Sequence, residues 1–347
     1  MIFSFINISV PLSQINNADD AHYQKQRFSL SKTNNLANNT NNAKDKKKQN
    51  VMIIATYPKS EVRLLAIWSQ LECFTSGYDK IIISAPNEDW SRNALQNFTF
   101  QVMIHLPEIH KILEVQYYKN DRYDAGLWCD SLHSLQTNNN MLSWSFDNYF
   151  LINDSLLALR KFNDFLTVLE NRNTSLVSLN WWEQNSTIWT GWQQNKTYWV
   201  ESGARAFSQN GINVYYNNVC ANLQETFKYC AEYITSFRKS AKNGRKKYCI
   251  VNATEIVVSY YFNRGVKHDD DDTVIGLYPG EVPDEYISEM NAHKMWANNY
   301  IYWRDTLVGK SKFPVMKITG ALLETSNQTL AAASLRECTN RYISFQT

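Results

Sequence analysis

The chain has 347 residues, enough for one large domain or two modest ones, and 44% of it is apolar, enough for a real core. Its net charge of +2 gives no electrostatic ground for nucleic-acid or membrane-surface binding, and no apolar run reaches the roughly 20 residues of a bilayer span. The six cysteines include no Cys-x-x-Cys pair, which argues against a zinc site.

Met1 to Pro11 is mildly apolar but lacks a basic start, so it is a poor signal peptide. Residues 12–50 are polar and rich in Asn, Lys, Ser and Gln, with the run Lys46-Lys47-Lys48. Such a composition cannot bury enough apolar surface to fold alone, so residues 1–50 are expected to form a disordered stem. Asn-x-Ser/Thr triplets recur along the chain, at Asn7, Asn38, Asn97, Asn153, Asn173, Asn185, Asn195, Asn252 and Asn327. With the stem they point to a secretory or Golgi lumen; a cytoplasmic setting is the alternative.

The folded domain is expected over residues 51–324, with 325–347 as a tail. Val51 to Tyr57 is an apolar run that reads as a buried strand, ended by Pro58. Ser60 to Phe74 places Val62, Leu65, Trp68 and Leu71 at helical spacing. Lys80–Ser84 reads as a second strand stopped by Pro86, Trp90–Phe100 as a helix, and Ile112–Tyr118 as a third strand. A helix over 125–136 and a strand over 148–153 continue the alternation. Strand, helix, strand in this rhythm predicts an α/β fold: a Rossmann-like, mostly parallel sheet with helices on both faces. Leu156 to Leu169 reads as a helix with Leu157, Leu159, Phe162, Phe165 and Leu166 inward, and Ser175 to Trp182 as a strand. Helical signals return at 227–237, 253–263, 300–308 and 318–324, and Ile275–Tyr278 reads as a late strand.

Two segments carry most of the chemistry. Tyr149-Phe150-Leu151-Ile152 is a buried run that ends abruptly in Asn153-Asp154-Ser155. In α/β sheets ligands bind in the crevice outside the carboxyl ends of the strands. Hard oxygen groups there suit Mn²⁺ or Mg²⁺ holding a diphosphate, with Asp154 as the metal ligand. The competing reading makes Asp154 or Ser155 the cap of the following helix. Tyr123-Asp124-Ala125-Gly126 opens another helix, where Asp124 either receives a hydrogen bond from a nucleotide or serves as a cap.

Further along, Trp181, Trp182, Trp189, Trp192 and Trp199 are interleaved with Gln184, Gln193 and Gln194. They form either a sugar-stacking surface or a satellite core. Glu255 opens a helix, as a general base or as a charge that complements the helix dipole. His268-Asp269-Asp270-Asp271-Asp272 lacks the spacing of a calcium loop and reads as solvated. Gly-x-Ser-x-Gly, P-loop and Gly-x-Gly-x-x-Gly patterns are absent, which leaves hydrolase, NTPase and dinucleotide readings without support.

Four segments, in order, resemble the rhamnan synthesis protein F-like glycosyltransferases. Tyr123-Asp124-Ala125-Gly126-Leu127-Trp128 is similar to that family's Tyr-Asp-Phe-Gly-x-Trp, and Leu151-Ile152-Asn153-Asp154-Ser155 to its Leu-x-Asn-Asp-Ser. Glu255 to Ser259 with Gly265 resembles its Glu-x-x-Leu-Ser helix, and Asn299 to Lys317 resembles its closing Trp-x-x-Leu…Gly-x-Pro-Phe-x-Lys segment. The likeness implies an A-type glycosyltransferase fold, a nucleotide-sugar donor, a glycan acceptor, inverting transfer, and a deoxyhexose such as rhamnose. On this reading Tyr123, Asp124, Gly126, Asn153 and Ser155 bind the donor and Asp154 the metal. Trp182, Trp199 and Glu201 meet the acceptor, and Glu255 is the base. Trp199 to Phe207 departs from the family's His-x-Gln-Ser-Tyr-Phe, on what is expected to be the acceptor side. The rival of another class is a non-catalytic luminal carbohydrate-binding protein on the same fold.

Overall fold

A computed structural model describes residues 47–74, 76–136, 144–158, 161, 164–171, 174–178, 181–184, 197–200, 203–224, 274–276 and 315–317. Residue contacts divide the chain into two compact units, 1–47 with 183–197, and 48–182 with 198–347. The second holds nearly all the described residues. Its elements are β1 (Asn50–Ala55), α1 (Glu61–Phe74), β2 (Lys80–Pro86), α2 (Asp89–His105), the short α3 (Pro107–His110), β3 (Leu113–Tyr118) and α4 (Tyr123–Ser134). Then follow β4 (Asn148–Asn153), β5 (Leu156–Ala158), α5 (Asp164–Asn171), β6 (Leu176–Ser178), β7 (Trp181–Gln184), β8 (Thr197–Val200) and β9 (Ala204–Ser208). Helix α6 (Gln209–Tyr215) runs into a π-helical turn at Tyr216–Cys220, and β10 (Val274–Gly276) and β11 (Val315–Lys317) complete the described elements.

Seven strands form one sheet in the order β10-β6-β9-β4-β1-β2-β3. All neighbours are parallel except at β9, which runs antiparallel to both β4 and β6. The expected α/β class, with a mostly parallel sheet and helices on both faces, is the one observed. Parallel strands covered on both faces must be apolar on both sides, which is why Val51–Ala55 reads as one unbroken run. Met52 and Ile54 face one core with Ile81, Ile83, Phe150 and Ile152, beneath α1, α2 and α5. Val51, Ile53 and Ala55 face the other with Tyr149, Leu151 and Phe207, beneath α4 and α6. Each isoleucine fully buried here contributes roughly 1.5–3 kcal/mol.

Two expectations change. Leu156–Ala158 is not the start of a helix but strand β5, paired antiparallel with β11. The Ala158 N–H donates to Ser69 Oγ, and the Leu156 carbonyl accepts from Gln70 Nε2, so α1 holds this segment extended; the helix begins only at Asp164. With no helix at residue 155, the helix-cap reading of Asp154 and Ser155 falls away. Ser175–Trp182 divides into β6 and β7. The expected helices at 227–237, 253–263, 300–308 and 318–324 lie outside the described residues.

Candidate functional site at the strand-order reversal

The chain lays down β1, β2 and β3 outward in one direction, then crosses back over β2 and β1 to place β4 on the other side of β1. Helix α4 makes this crossing, packed on β1 and β2. The carboxyl ends of β1 and β4 lie side by side where strand order reverses, the usual ligand position of open α/β sheets, and the Asp154 N–H donates to the Ala55 carbonyl at 3.1 Å.

Asn153-Asp154-Ser155 forms the turn from β4 to β5 at this point, and all three residues are buried. The Asp154 carboxylate is surrounded by donors. Its Oδ2 accepts from Thr56 Oγ1 at 2.9 Å and from the Tyr57 N–H at 2.7 Å, just past the end of β1. Its Oδ1 accepts from Nη1 of Arg63, one turn into α1. The Asp154 side chain is 3% exposed and that of Arg63 18%, so Arg63 is the less buried partner of the pair. Gln70, also on α1, donates to the Asn153 carbonyl at 2.9 Å, and fixes the turn from beneath.

Asn153 links the two sequence motifs. Its Nδ2 donates to Asp124 Oδ2 at 3.0 Å, and its Oδ1 accepts from the Ser155 N–H and Oγ. Trp128, four residues after Asp124, donates its indole N–H to the Ile152 carbonyl at 3.1 Å. The structure thus brings together Asp124, Asn153, Asp154 and Ser155. Asp124 lies in the first turn of α4, after the N-cap Arg122, and it faces Asn153. Tyr123, beside it, holds a left-handed backbone with φ of 55°. A non-glycine residue there is strained, and such strain clusters at functional sites. Gly126 has a packing part: a Cβ there would meet Arg122 Cβ at 2.6 Å, and the Arg122 side chain runs on to Asp130.

Arg205 was not expected. It is 2% exposed on β9, opposite Leu151 of β4 and on the same face of the sheet. Tyr215 of α6 lies within the fields of both Arg205 and Asp124, and burial pushes its hydroxyl up to about 12. The segment that follows β1 carries a further cation, Lys59. Lys59 Nζ sits 5.0 Å from the Tyr57 ring and 4.7 Å from that of Trp90, which pack edge to face at 4.9 Å. A hydrogen bond with Tyr57 raises the Lys59 pKa.

Asp154, the residue expected to hold Mn²⁺ or Mg²⁺, is committed to protein donors. These ions take several oxygen ligands at once. Asp154 already accepts three hydrogen bonds, one of them from a cation, and the Asn153 oxygen is turned toward Ser155. Among the described residues no group of three His, Cys, Asp or Glu side chains is placed to hold a metal. Glu255 and Glu201 lie outside the described residues; Trp182 and Trp199 fall on β7 and β8. Among the described residues, no helix is long and apolar enough to cross a membrane.

No protein-family model and no curated protein matches the chain. Among solved structures it is similar to the galactosyltransferase LgtC in complex with donor and acceptor sugar analogues, at 9% identity and a TM-score of 0.40, over 83% of this chain and 96% of that one. It is also similar to the glycosyltransferase GlyE of Streptococcus pneumoniae, at 11% identity and a TM-score of 0.41, over 81% of this chain and 57% of that one. A third is the 4-diphosphocytidyl-2C-methyl-D-erythritol synthase of Anaerococcus prevotii, at 12% identity and 0.37, over 72% and 100%. At such distances these likenesses leave function to be read from the site itself.

Proposed function

We propose that this protein is a glycosyltransferase that moves a sugar from a nucleotide-sugar donor to a glycan hydroxyl. The observation that carries the reading is the charged cluster of Asp154, Arg63, Asn153 and Asp124 at the strand-order reversal. The two motifs that resemble the rhamnan synthesis protein F-like family are hydrogen-bonded to each other there, Asp124 to Asn153 and Trp128 to the Ile152 carbonyl. That supports one shared site rather than two coincidental matches. The resemblance further proposes an A-type glycosyltransferase fold and a deoxyhexose such as rhamnose.

The proposed reaction is one inverting displacement. A carboxylate, proposed as Glu255, takes the proton of the acceptor hydroxyl. The freed oxygen bonds to the anomeric carbon from the face opposite the diphosphate, and the bond from that carbon to the phosphate oxygen breaks. The nucleoside diphosphate leaves with the electron pair. The disulfide between Cys129 and Cys220 supports a luminal setting, since such bonds persist in oxidising compartments.

The test is calorimetric titration with UDP-, GDP-, CDP- and dTDP-sugars, dTDP-rhamnose and UDP-rhamnose among them. Mass spectrometry of glycan acceptors incubated with the donor that binds completes it. Binding of one nucleotide sugar with transfer of its sugar is the expected result. No binding of any of them overturns the proposal and favours the carbohydrate-binding alternative, which lacks donor binding; binding without transfer to any acceptor overturns the catalytic part of the proposal.

A further inference from the structure

We propose that Arg63 stands in this site where a divalent ion would otherwise stand: its guanidinium, held on Asp154, is the cation that meets the donor's diphosphate, and donor binding needs no divalent metal. The inference rests on the nucleotide-sugar reading above.

The argument starts from Asp154. A buried carboxylate at the carboxyl end of β4 requires compensation, and three donors supply it: Thr56 Oγ1, the Tyr57 N–H and Arg63 Nη1. Two come from the residues just past β1 and one from α1, so these elements converge on this one group. A metal ion bound at Asp154 would face a guanidinium at the same carboxylate, and like charges that close repel. The Asn153 oxygen is already taken by Ser155, and Thr56 Oγ1 already donates to the Asp154 carboxylate.

Arginine is suited to the alternative. It stays charged at all accessible pH, and its planar fork of donors matches phosphate oxygens, so it can hold a carboxylate on one edge and an anion on another. The Asp154 side chain is 3% exposed and that of Arg63 18%, so Arg63 is the less buried partner of the pair. Asp154 thereby fixes the guanidinium's orientation. Lys59 adds a second positive charge to the segment that follows β1, four residues past its end and over the Trp90 ring.

The experiment is calorimetric titration with UDP, GDP, CDP and dTDP, in EDTA and again in Mn²⁺. The expected result is that one diphosphate binds equally well in both. Arg63→Gln should weaken it by about 10–100-fold, the range for a lost charged hydrogen bond. Arg63→Lys should keep part of the affinity, since it preserves charge without the fork. Thermal melts establish that each variant is folded. Binding that requires Mn²⁺ overturns the inference and leaves the proposed function standing. So does a folded Arg63→Gln chain that binds undiminished. Failure of the unaltered chain to bind any diphosphate in either condition overturns the proposed function itself. The metal comparison uses the unaltered chain, so it decides even where Arg63→Gln does not fold.

Discussion

The two edges of the sheet are built from the same polar residue types and use them in opposite ways. At the amino-terminal edge, Asn50 and Asn148 are both buried and their amides pair at 2.8 Å. The Asn50 N–H goes to Asp79 and its side-chain nitrogen to the Gly77 carbonyl; the Gln49 N–H goes to Asp147. Gly77 supplies the left-handed turn, with φ of 91°, that lets the chain from α1 close onto β2. Here buried amides and short acids tie off strand starts. At the carboxyl-terminal edge, a buried carboxylate is matched by the guanidinium of the less buried Arg63. A buried ion pair is seldom more stabilising than an apolar replacement of the same size. On the proposed function its place at the reversal of strand order serves recognition, whereas the amino-terminal network serves folding alone.

The largest expected effect lies at the carboxyl-terminal edge. Asp154→Ala removes the acceptor of three donors and leaves Arg63 without its main counter-charge. Breaking a buried pair this way costs about 3–5 kcal/mol, with the partial exposure of Arg63 favouring the lower end. Urea unfolding measures it. A loss of only about 0.5–2 kcal/mol would be the size of a helix cap and would contradict the pairing described here. Asp154→Asn keeps the shape and removes the charge; it should disorient Arg63 and weaken nucleoside diphosphate binding in the same titration.

The amino-terminal edge should respond differently. Asn148→Ala leaves the buried Asn50 oxygen without its donor, at a cost of about 1–3 kcal/mol. Diphosphate affinity per folded molecule should not change. If affinity falls together with stability, the two edges are coupled through β1 and β4, and the division drawn above fails.

How much of this was legible in the sequence follows from which signals are local. The inner parallel strands β1, β2 and β4 announce themselves as continuous apolar runs closed by Pro58, Pro86 or a polar triplet, while the edge strand β3 alternates apolar and polar residues, so all four and the α/β class are readable. Leu156-Leu157-Ala158 fits helix and buried strand equally, and what decides is its pairing with β11, far along the chain. Asp124, Asn153 and Asp154 stand out because each sits where an apolar pattern starts or stops. Arg63 does not: it occupies one position in a helix buried nearly all round, and its partner is 91 residues away. Thr56 and Gln70 are silent for the same reason. Arg205 carries a faint local signal, a lone cation between Ala204 and Ala206 in a strand. That pattern became meaningful only once β9 lay against β4.

The smallest expected effect sharpens the comparison from the other side, because it concerns an ion pair with no recognition role. Lys80 opens β2 and Glu114 lies near the start of β3; their charged atoms are 2.6 Å apart. The same two kinds of charge are joined here as at Asp154, but the side chains are 31% and 45% exposed. Exposed pairs contribute about 0.2–1 kcal/mol, so Glu114→Gln should cost no more than that in urea. The hydrogen bond from Lys80 lowers the Glu114 pKa below its ordinary value, with a second from Gln116. A carboxylate depressed in the folded state stabilises above its unfolded pKa, near 4.3, and that contribution is lost as pH falls through the lower folded value. The gap between the unaltered chain and Glu114→Gln should therefore be constant at neutral pH and close below about pH 4. It should also shrink in high salt, which screens exposed charges and leaves the buried Asp154 contact largely untouched. A Glu114 effect as large as that of Asp154, or one indifferent to salt, would mean that burial is not what separates the two edges.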